Sequence, residues 1–324
     1  MHKMTNFEYA FMVSELSPLI LGRHFDRIRK IGEGIYRMKI GSTEILCECG
    51  VRIHSTKYIE KTELTDKFVE KISKELDNAK LLSIEQINND RILCFNFTKG
   101  QLIFEMFGEG NVILVRDGNT VCAQKYESWS DRAIRVGESY SPPKNIPSNK
   151  LEFSDRYIIV SLMKIPLGKD YCLEALARSK IDEKTPGTSL SGNQILALEQ
   201  ALDQIRSNPK PYGFYSNGKM CDFGLSSMKK YSEQKDFPSL SEVADEYYMH
   251  LEKSNPVLDK LIQRLEKQKE RLAALLEEER EYKQKGDHIY EHFQEVESLL
   301  NDARTGKIEN IKINKKDRSI ELEL

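Results

Sequence analysis

No apolar run in the 324-residue chain approaches eighteen residues, so no segment reads as a membrane-spanning helix. The start, Met1-His2-Lys3-Met4-Thr5-Asn6, has neither the basic nor the apolar stretch of an export signal, and cytoplasmic residence is the resulting expectation. A dominant charge is missing too: 49 Lys and Arg against 51 Asp and Glu leave a net charge of -2. Whole-chain attraction to nucleic acid is thereby absent, and such a partner has to meet a local basic face. Cysteine is sparse and scattered (Cys47, Cys49, Cys94, Cys122, Cys172, Cys221), and Cys47-x-Cys49 has no second pair at zinc spacing. The pattern points to reduced cysteines on strands or in the core, with no metal or cofactor expected.

A phosphate loop is also missing. Phe107-Gly108-Glu109-Gly110-Asn111 carries two glycines but lacks the Lys-Ser/Thr of a P-loop. A dinucleotide loop opens a helix, whereas here the strand-like "NVILVRD" follows. The glycines are therefore expected in a turn of an antiparallel ribbon, where positive φ is needed.

What is present is a succession of periodicities. Residues 5–21 place Phe7, Phe11, Val13, Leu16, Leu19 and Ile20 on roughly one face of a helix, with Thr5 or Asn6 able to cap it. From Phe25 the period shortens, and "IYRMKI" and "TEILCECG" read as strands of a meander turning at Gly32, Gly34 and Gly41. Residues 65–80 return to helix through Phe68, Ile72 and Leu76. A second strand set follows in "RILCFNF", "QLIFEMF", "NVILVRD" and "TVCAQKY". The connector "SYSPPKNIPSN" suits a domain boundary, after which residues 154–206 become helical. Within them, "LMKIPLGKDYCLEALARSKID" turns at Pro166-Leu167-Gly168. It is either a helix-hairpin-helix, whose amides hold a phosphate without reading sequence, or an ordinary pair of antiparallel helices.

"YGFYSNGKMCDF" is a hairpin by its Asn217-Gly218 turn. In residues 257–282, Leu258, Leu261, Ile262, Leu265, Leu272, Leu275, Leu276 and Tyr282 recur mostly at three- and four-residue steps. This is a long surface helix or coiled-coil strand, interrupted at Gln268 and Lys269 and expected to break at Gly286-Asp287. A shorter helix with Ile289, Phe293, Val296 and Leu300 on one face comes next, then "IENIKI" and "SIELEL". A two-stranded ribbon is marginal alone, which suggests a fragment or partner elements in another molecule.

Taken in order, "IEQINNDRILCFNF", "FEMFGEGNVILV", "DRAIRVGESYSPP", "SEVADEYY" and the helix beginning near Asn255 resemble the NFACT family, of the RqcH and NEMF type. Some of its members were long labelled fibronectin-binding proteins. The resemblance implies an α+β chain. It would consist of a glycosylase-like, β-rich domain with flanking helices (1–150), a helix-hairpin-helix domain (151–240), a coiled-coil arm (241–305) and the start of a small α/β tip domain (306–324). It also implies a ribosome-associated quality control factor. Such a factor binds the large ribosomal subunit obstructed by peptidyl-tRNA and recruits tRNA for template-free tailing of the stalled nascent chain. Peptidyl transfer belongs to the ribosome, so no enzyme activity is implied.

On the resemblance, the family's functional Asp-Arg pair falls on Asp90-Arg91. The arginine fork suits a phosphate or base edge, and the carboxylate is expected to hold that fork or accept from a base. The alternative is a polar turn with Asn88 and Asn89. Glu8 occupies the place of an acidic residue in the same cluster, usually aspartate. "FVEKISKEL" lacks the family's Leu-Arg-Lys pattern. Arg52 and His54 match family positions that could meet RNA, against the alternative of a simply hydrogen-bonded histidine. Arg132 and Arg135 are either phosphate contacts or packed salt-bridge partners. Lys307, Lys312, Lys315, Lys316 and Arg318 make the tip basic, compatible with ribosomal RNA. Two other readings are weaker. A DNA glycosylase needs a proline amine followed by glutamate, where this chain has His2-Lys3; a surface adhesin conflicts with the missing export signal.

Overall fold

The computed structural model describes residues 1–59, 64–144, 147–148, 150–253, 256–305, 313–314 and 319–320. They fall into two compact units, Met1–Lys253 and Ser254–Leu324.

The first unit begins with α1 (Asn6–Ile20), started by a capping box in which Thr5 accepts from the Glu8 amide and Glu8 accepts from the Thr5 amide. Its apolar face of Tyr9, Met12, Leu16 and Ile20 is fully buried. Four antiparallel strands follow in chain order: β1 (Phe25–Gly32), β2 (Ile35–Ile40), β3 (Thr43–Glu48) and β4 (Arg52–Ser55). After α2 (Lys67–Glu75), capped by Asp66, a second meander runs through β5 (Leu81–Gln86), β6 (Ile92–Phe97), β7 (Gly100–Glu105), β8 (Asn111–Arg116) and β9 (Asn119–Ala123).

Alternation along these strands sorts side chains onto two faces. Leu93, Phe95, Leu102, Phe104, Val112 and Leu114 join the main core, together with Tyr36, Met38, Ile45 and Ile53 of the first sheet and the apolar face of α1. Ile92, Cys94, Ile103, Ile113 and Val115 form a smaller cluster on the other face. A short ribbon of β10 (Glu127–Ser128) and β11 (Ala133–Ile134) adds Ile134 to that cluster.

Residues 107–110 make the β7–β8 turn, with Gly108 and Gly110 at φ of 60° and 70°. Gly110 has a second constraint. A Cβ there would lie 2.3 Å from the Gly50 nitrogen, and one on Gly50 would lie 2.6 Å from the Gly108 oxygen. The two sheets thus meet turn on turn, backbone against backbone, at glycines on both sides.

The rest of the unit is α3 (Ile158–Leu162), α4 (Lys169–Ser179) and α5 (Gly192–Ser207), then a three-stranded sheet and α6 (Leu240–Lys253). In that sheet β12 (Tyr212–Ser216) lies between β13 (Lys219–Gly224) and β14 (Glu233–Asp236). Leu198, Leu202, Phe214 and Phe223 share one continuous core with the N-terminal sheets, so the connector near residue 150 does not separate one core from another. Residues 241–253 were expected to open the arm. They pack instead on β4, β13 and α1 through buried Val243, Ala244, Tyr247 and Tyr248.

In the second unit α7 (Pro256–Glu291) runs for 36 residues, about 54 Å at the usual helical rise. It continues through Gly286 and Asp287, where a break was expected. One interior glycine costs only about 1 kcal/mol relative to alanine, and no proline accompanies it. The interruption comes at His292, after which α8 (Phe293–Thr305) continues. Leu265, Leu272, Leu275 and Leu276 are exposed, so this stripe of α7 is uncovered among the described residues. β15 (Ile313–Asn314) pairs antiparallel with β16 (Ser319–Ile320), while the rest of the two alternating stretches lies outside the described residues. Among the described residues no helix is long and apolar enough to cross a membrane.

Candidate nucleic-acid interface

The turn carrying Asp90 and Arg91 links β5 to β6. The Ile87 amide donates to the Ile92 carbonyl, and Asn88 and Asn89 take left-handed φ of 56° and 52°, which asparagine tolerates better than most residues. Asn6, the first residue of α1, fastens this turn. Its Nδ2 donates to the Asn89 carbonyl at 2.9 Å and to Asp90 Oδ1 at 3.2 Å. Gln86 Nε2 completes the staple, 2.8 Å from the carbonyls of both Asn6 and Asp90.

Asp90 Oδ1 also accepts from the Arg91 amide at 2.7 Å. The carboxylate therefore fixes the backbone and does not hold the Arg91 guanidinium, the first of the two roles open to it. Among the described residues the half-buried Arg91 has no hydrogen-bond or ion-pair partner for that guanidinium. Its fork of donors remains open to a phosphate or a base edge.

Glu8 is placed differently from the expectation. It is fully buried: Oε2 takes the Thr5 amide at 2.6 Å and lies 3.1 Å from His2 Nε2, while Oε1 accepts from the Tyr171 hydroxyl at 2.6 Å. The other His2 nitrogen is 2.7 Å from Asp222 Oδ1 of β13, and Tyr231 donates to Asp222 Oδ2 at 2.7 Å. Burial pushes His2 down, but Glu8 and Asp222 outweigh it and bring the ring up to about 10, leaving it cationic at neutral pH. Burial likewise opposes the charge on Asp222, yet His2 and the Tyr231 hydroxyl hold it below the usual carboxylate range. Glu8 is thus the centre of a buried ionic knot tying α1 to α4 and β13, and glutamate is the residue a capping box prefers at this position.

Arg52 and His54 are also interior. Arg52 Nε donates to Glu48 at 2.9 Å, and its guanidinium lies 3.8 Å from the centre of the Tyr248 ring in α6. His54 stacks on the same tyrosine and pairs through Nδ1 with the Ser55 carbonyl at 3.0 Å. Burial, aided by the Arg52 charge, drives it down to about 3, so it is neutral. Arg132 grips Glu105 at 2.5 and 3.0 Å; Tyr140 donates to the same carboxylate and the Trp129 ring centre lies 4.3 Å from the guanidinium. Of the open alternatives for this pair, Arg132 is the packed salt bridge. Arg135 is on the surface, its side chain 62% exposed and 3.9 Å from Glu138. Lys307, Lys312, Lys315, Lys316 and Arg318 lie outside the described residues.

A third element, the turn at Pro166-Leu167-Gly168, reaches the same place, a juxtaposition with no signature in the sequence. Gly168, preceding α4 with φ of 104°, lies against Thr5: a Cβ there would be 2.6 Å from Thr5 Cγ2. The start of α4 has no side-chain cap, and its first residue, Lys169, is exposed. The beginnings of α1 and α4 and the turn at 88–91 therefore meet around Thr5 and Asn6. Helix N-termini carry partial positive charge; at α1 the Glu8 carboxylate of the capping box already answers it, whereas the start of α4 has no side-chain cap. A cap at Thr5 or Asn6 was visible in the sequence. Its bond to Asp90, 84 residues away, has no local signature.

Residues 6–324 match the family model described as the NFACT N-terminal and middle domains. The archaeal Rqc2 homolog aRqcH of Methanocaldococcus jannaschii is 30% identical over 94% of this chain and 52% of its own length. Human ribosome quality control complex subunit NEMF is 23% identical over 99% of this chain and 34% of its own length. The chain spans about half the length of the archaeal relative and a smaller share of the human one. The fibrinogen binding protein from Staphylococcus aureus shares the fold, with a TM-score of 0.61 at 17% identity, over 75% of this chain and 98% of that one.

Proposed function

Because the chain belongs to the family of NFACT N-terminal and middle domains, we propose that it acts as a ribosome quality control factor. It binds the large ribosomal subunit obstructed by peptidyl-tRNA and recruits tRNA for template-free tailing of the stalled nascent chain. The names of its relatives support the class. One observation carries the RNA-facing site: Arg91 offers an unpaired guanidinium, among the described residues, on a turn stapled to the start of α1 and adjoining the uncapped start of α4.

In this reading α3 and α4 work as a helix-hairpin-helix whose amides after Gly168 take a backbone phosphate without reading sequence. Arg91 takes a second phosphate or a base edge of the same structured RNA. The exposed leucines of α7 form one side of a coiled-coil arm, completed by a helix outside these residues. No covalent chemistry falls to the chain. A glycosylase reading is disfavoured by His2, whose amide donates to the Tyr247 hydroxyl at 2.8 Å and whose ring is engaged by two carboxylates.

The test is tRNA binding by fluorescence anisotropy, with co-sedimentation on large ribosomal subunits. Arg91→Ala should weaken tRNA binding by about 1–3 kcal/mol, and a lost phosphate contact should reduce the salt slope by about one. Equal tRNA affinity of variant and parent removes the site, and absence of the parent chain from the subunit pellet at low and moderate salt removes the function.

A further inference from the structure

The end of α7 holds a cluster that the RNA-binding reading leaves unused. His288, Glu291 and His292 each present one ligand atom, and these atoms lie within 4.8 Å of one another. The two histidines are four residues apart, hence neighbours on one helical face, and their ring centres are 4.9 Å apart. Glu291 Oε2 lies 3.7 Å from His288 Nδ1, and Glu295 Oε2, from the first turn of α8, lies 3.2 Å from His292 Nδ1. Exposed His-Glu pairs by themselves are ordinary surface ion pairs. Two imidazoles and a carboxylate converging within a turn, with a further carboxylate on one ring nitrogen, are instead the donor set and supporting partner of a transition-metal site.

We propose that His288, Glu291 and His292 bind one divalent ion of the zinc class, with Glu295 orienting the His292 ring. Imidazole donors select against magnesium and calcium, which take oxygen ligands. Tetrahedral zinc bonds of about 2.0–2.2 Å put donor atoms roughly 3.4 Å apart. The side chains of His288, Glu291 and His292 are partly solvent-exposed and can close the remaining distance, with water completing the shell. The ligands straddle a structural landmark. His288 and Glu291 belong to the last turn of α7, whereas His292 is the interruption and Glu295 belongs to α8. A bound ion therefore clips α7 to α8 across that interruption.

The experiment uses the chelator-treated 324-residue chain, titrated with cobalt(II) as a spectroscopic probe and with zinc(II) in competition with a chromogenic chelator. One equivalent of cobalt should bind, be displaced by zinc and be unaffected by magnesium. His288→Ala and His292→Ala should each weaken zinc binding tenfold or more, and Glu295→Gln about tenfold, as for other residues that orient a ligand. All three side chains are at least partly exposed, so far-UV circular dichroism should show the fold retained. Zinc should also slow amide exchange across residues 288–296 in the parent and not in the double histidine variant. Failure to saturate at one equivalent, or undiminished binding in the double variant, overturns the site; a thiolate charge-transfer band would then assign the metal to exposed Cys221 or another cysteine. Stoichiometric binding without the exchange protection overturns the clip.

Discussion

Replacing His2 by alanine takes the cation out of the buried knot and leaves Glu8 and Asp222 without their counter-charge. The Glu8 side chain is 0% exposed and that of Asp222 19%, so water compensates little. Removing one partner of a buried pair costs about 3–5 kcal/mol. For a unit spanning residues 1–253, each kcal/mol moves the thermal midpoint by about 2 °C. His2→Ala should therefore lower Tm by roughly 6–10 °C at pH 7, read by circular dichroism. The pH profile separates an ionic knot from simple packing. An imidazole in the unfolded chain titrates near about 6.5, while folded His2 is held up to about 10. The folded state binds the proton more tightly between those values. The stabilisation from His2 is thus complete below about pH 6.5, declines as pH rises, and is lost above about pH 10. The Tm gap between parent and variant should close over the same window. A gap that stays constant from pH 6 to 10, or one under about 2 °C at pH 7, refutes the reasoning.

Gly110→Ala should destabilise by at least about 1–3 kcal/mol, since φ of 70° is strained for alanine and its Cβ would meet the Gly50 backbone. Gly108→Ala, with open space around it, should cost less in the same urea titration. Arg132→Ala should lose about 3–5 kcal/mol by leaving Glu105 buried and unpaired, whereas Arg135→Ala should stay within about 0.5 kcal/mol. Equal losses would contradict the burial assigned to the two arginines. Asn6→Ala removes two hydrogen bonds to the turn, worth about 1 kcal/mol each. It should speed amide exchange at residues 87–91 and weaken tRNA binding, and in the Arg91→Ala background its effect on tRNA should largely vanish.

Two meanders were legible in the sequence because their determinants are local. Lys99-Gly100, the glycines at 108 and 110 and Asp117-Gly118-Asn119 each end one strand and begin the next, so register follows from short loops. The helices at 6–20 and 67–75 were legible through caps and apolar spacing. The site was less so. Arg52, His54, Glu8 and Arg132 are all residue types that favour the surface, and each is buried by a partner supplied from elsewhere. Tyr248 covers Arg52 and His54 from nearly two hundred residues away, and Tyr171 reaches Glu8 across 163. Family position named Glu8, Arg52 and His54, and spacing before Gly137 named Arg132, but neither reveals whether a side chain faces solvent or a carboxylate. Asp90 and Arg91 are half-buried and not fully enclosed, because they sit in a turn, where the backbone keeps neighbouring side chains near the surface.

The convergence at the start of α1 depends on that segment being a helix. Successive helical residues are rotated by about 100°, so neighbours in sequence address different partners. Thr5 meets Gly168 before α4, Asn6 meets the carbonyl of Asn89 and the carboxylate of Asp90, and Glu8 meets His2 and Tyr171. A strand, alternating between two faces, would have offered these residues two directions instead of three. One capped turn thereby joins the stability of the unit to the placement of Arg91. Two classes of variant follow from this coupling. Changes in the knot at His2 or Glu8 should reduce RNA binding in proportion to the unfolded fraction and be rescued by lower temperature. Changes at Arg91 should reduce it at any temperature, because there the loss is of a contact and the fold is intact.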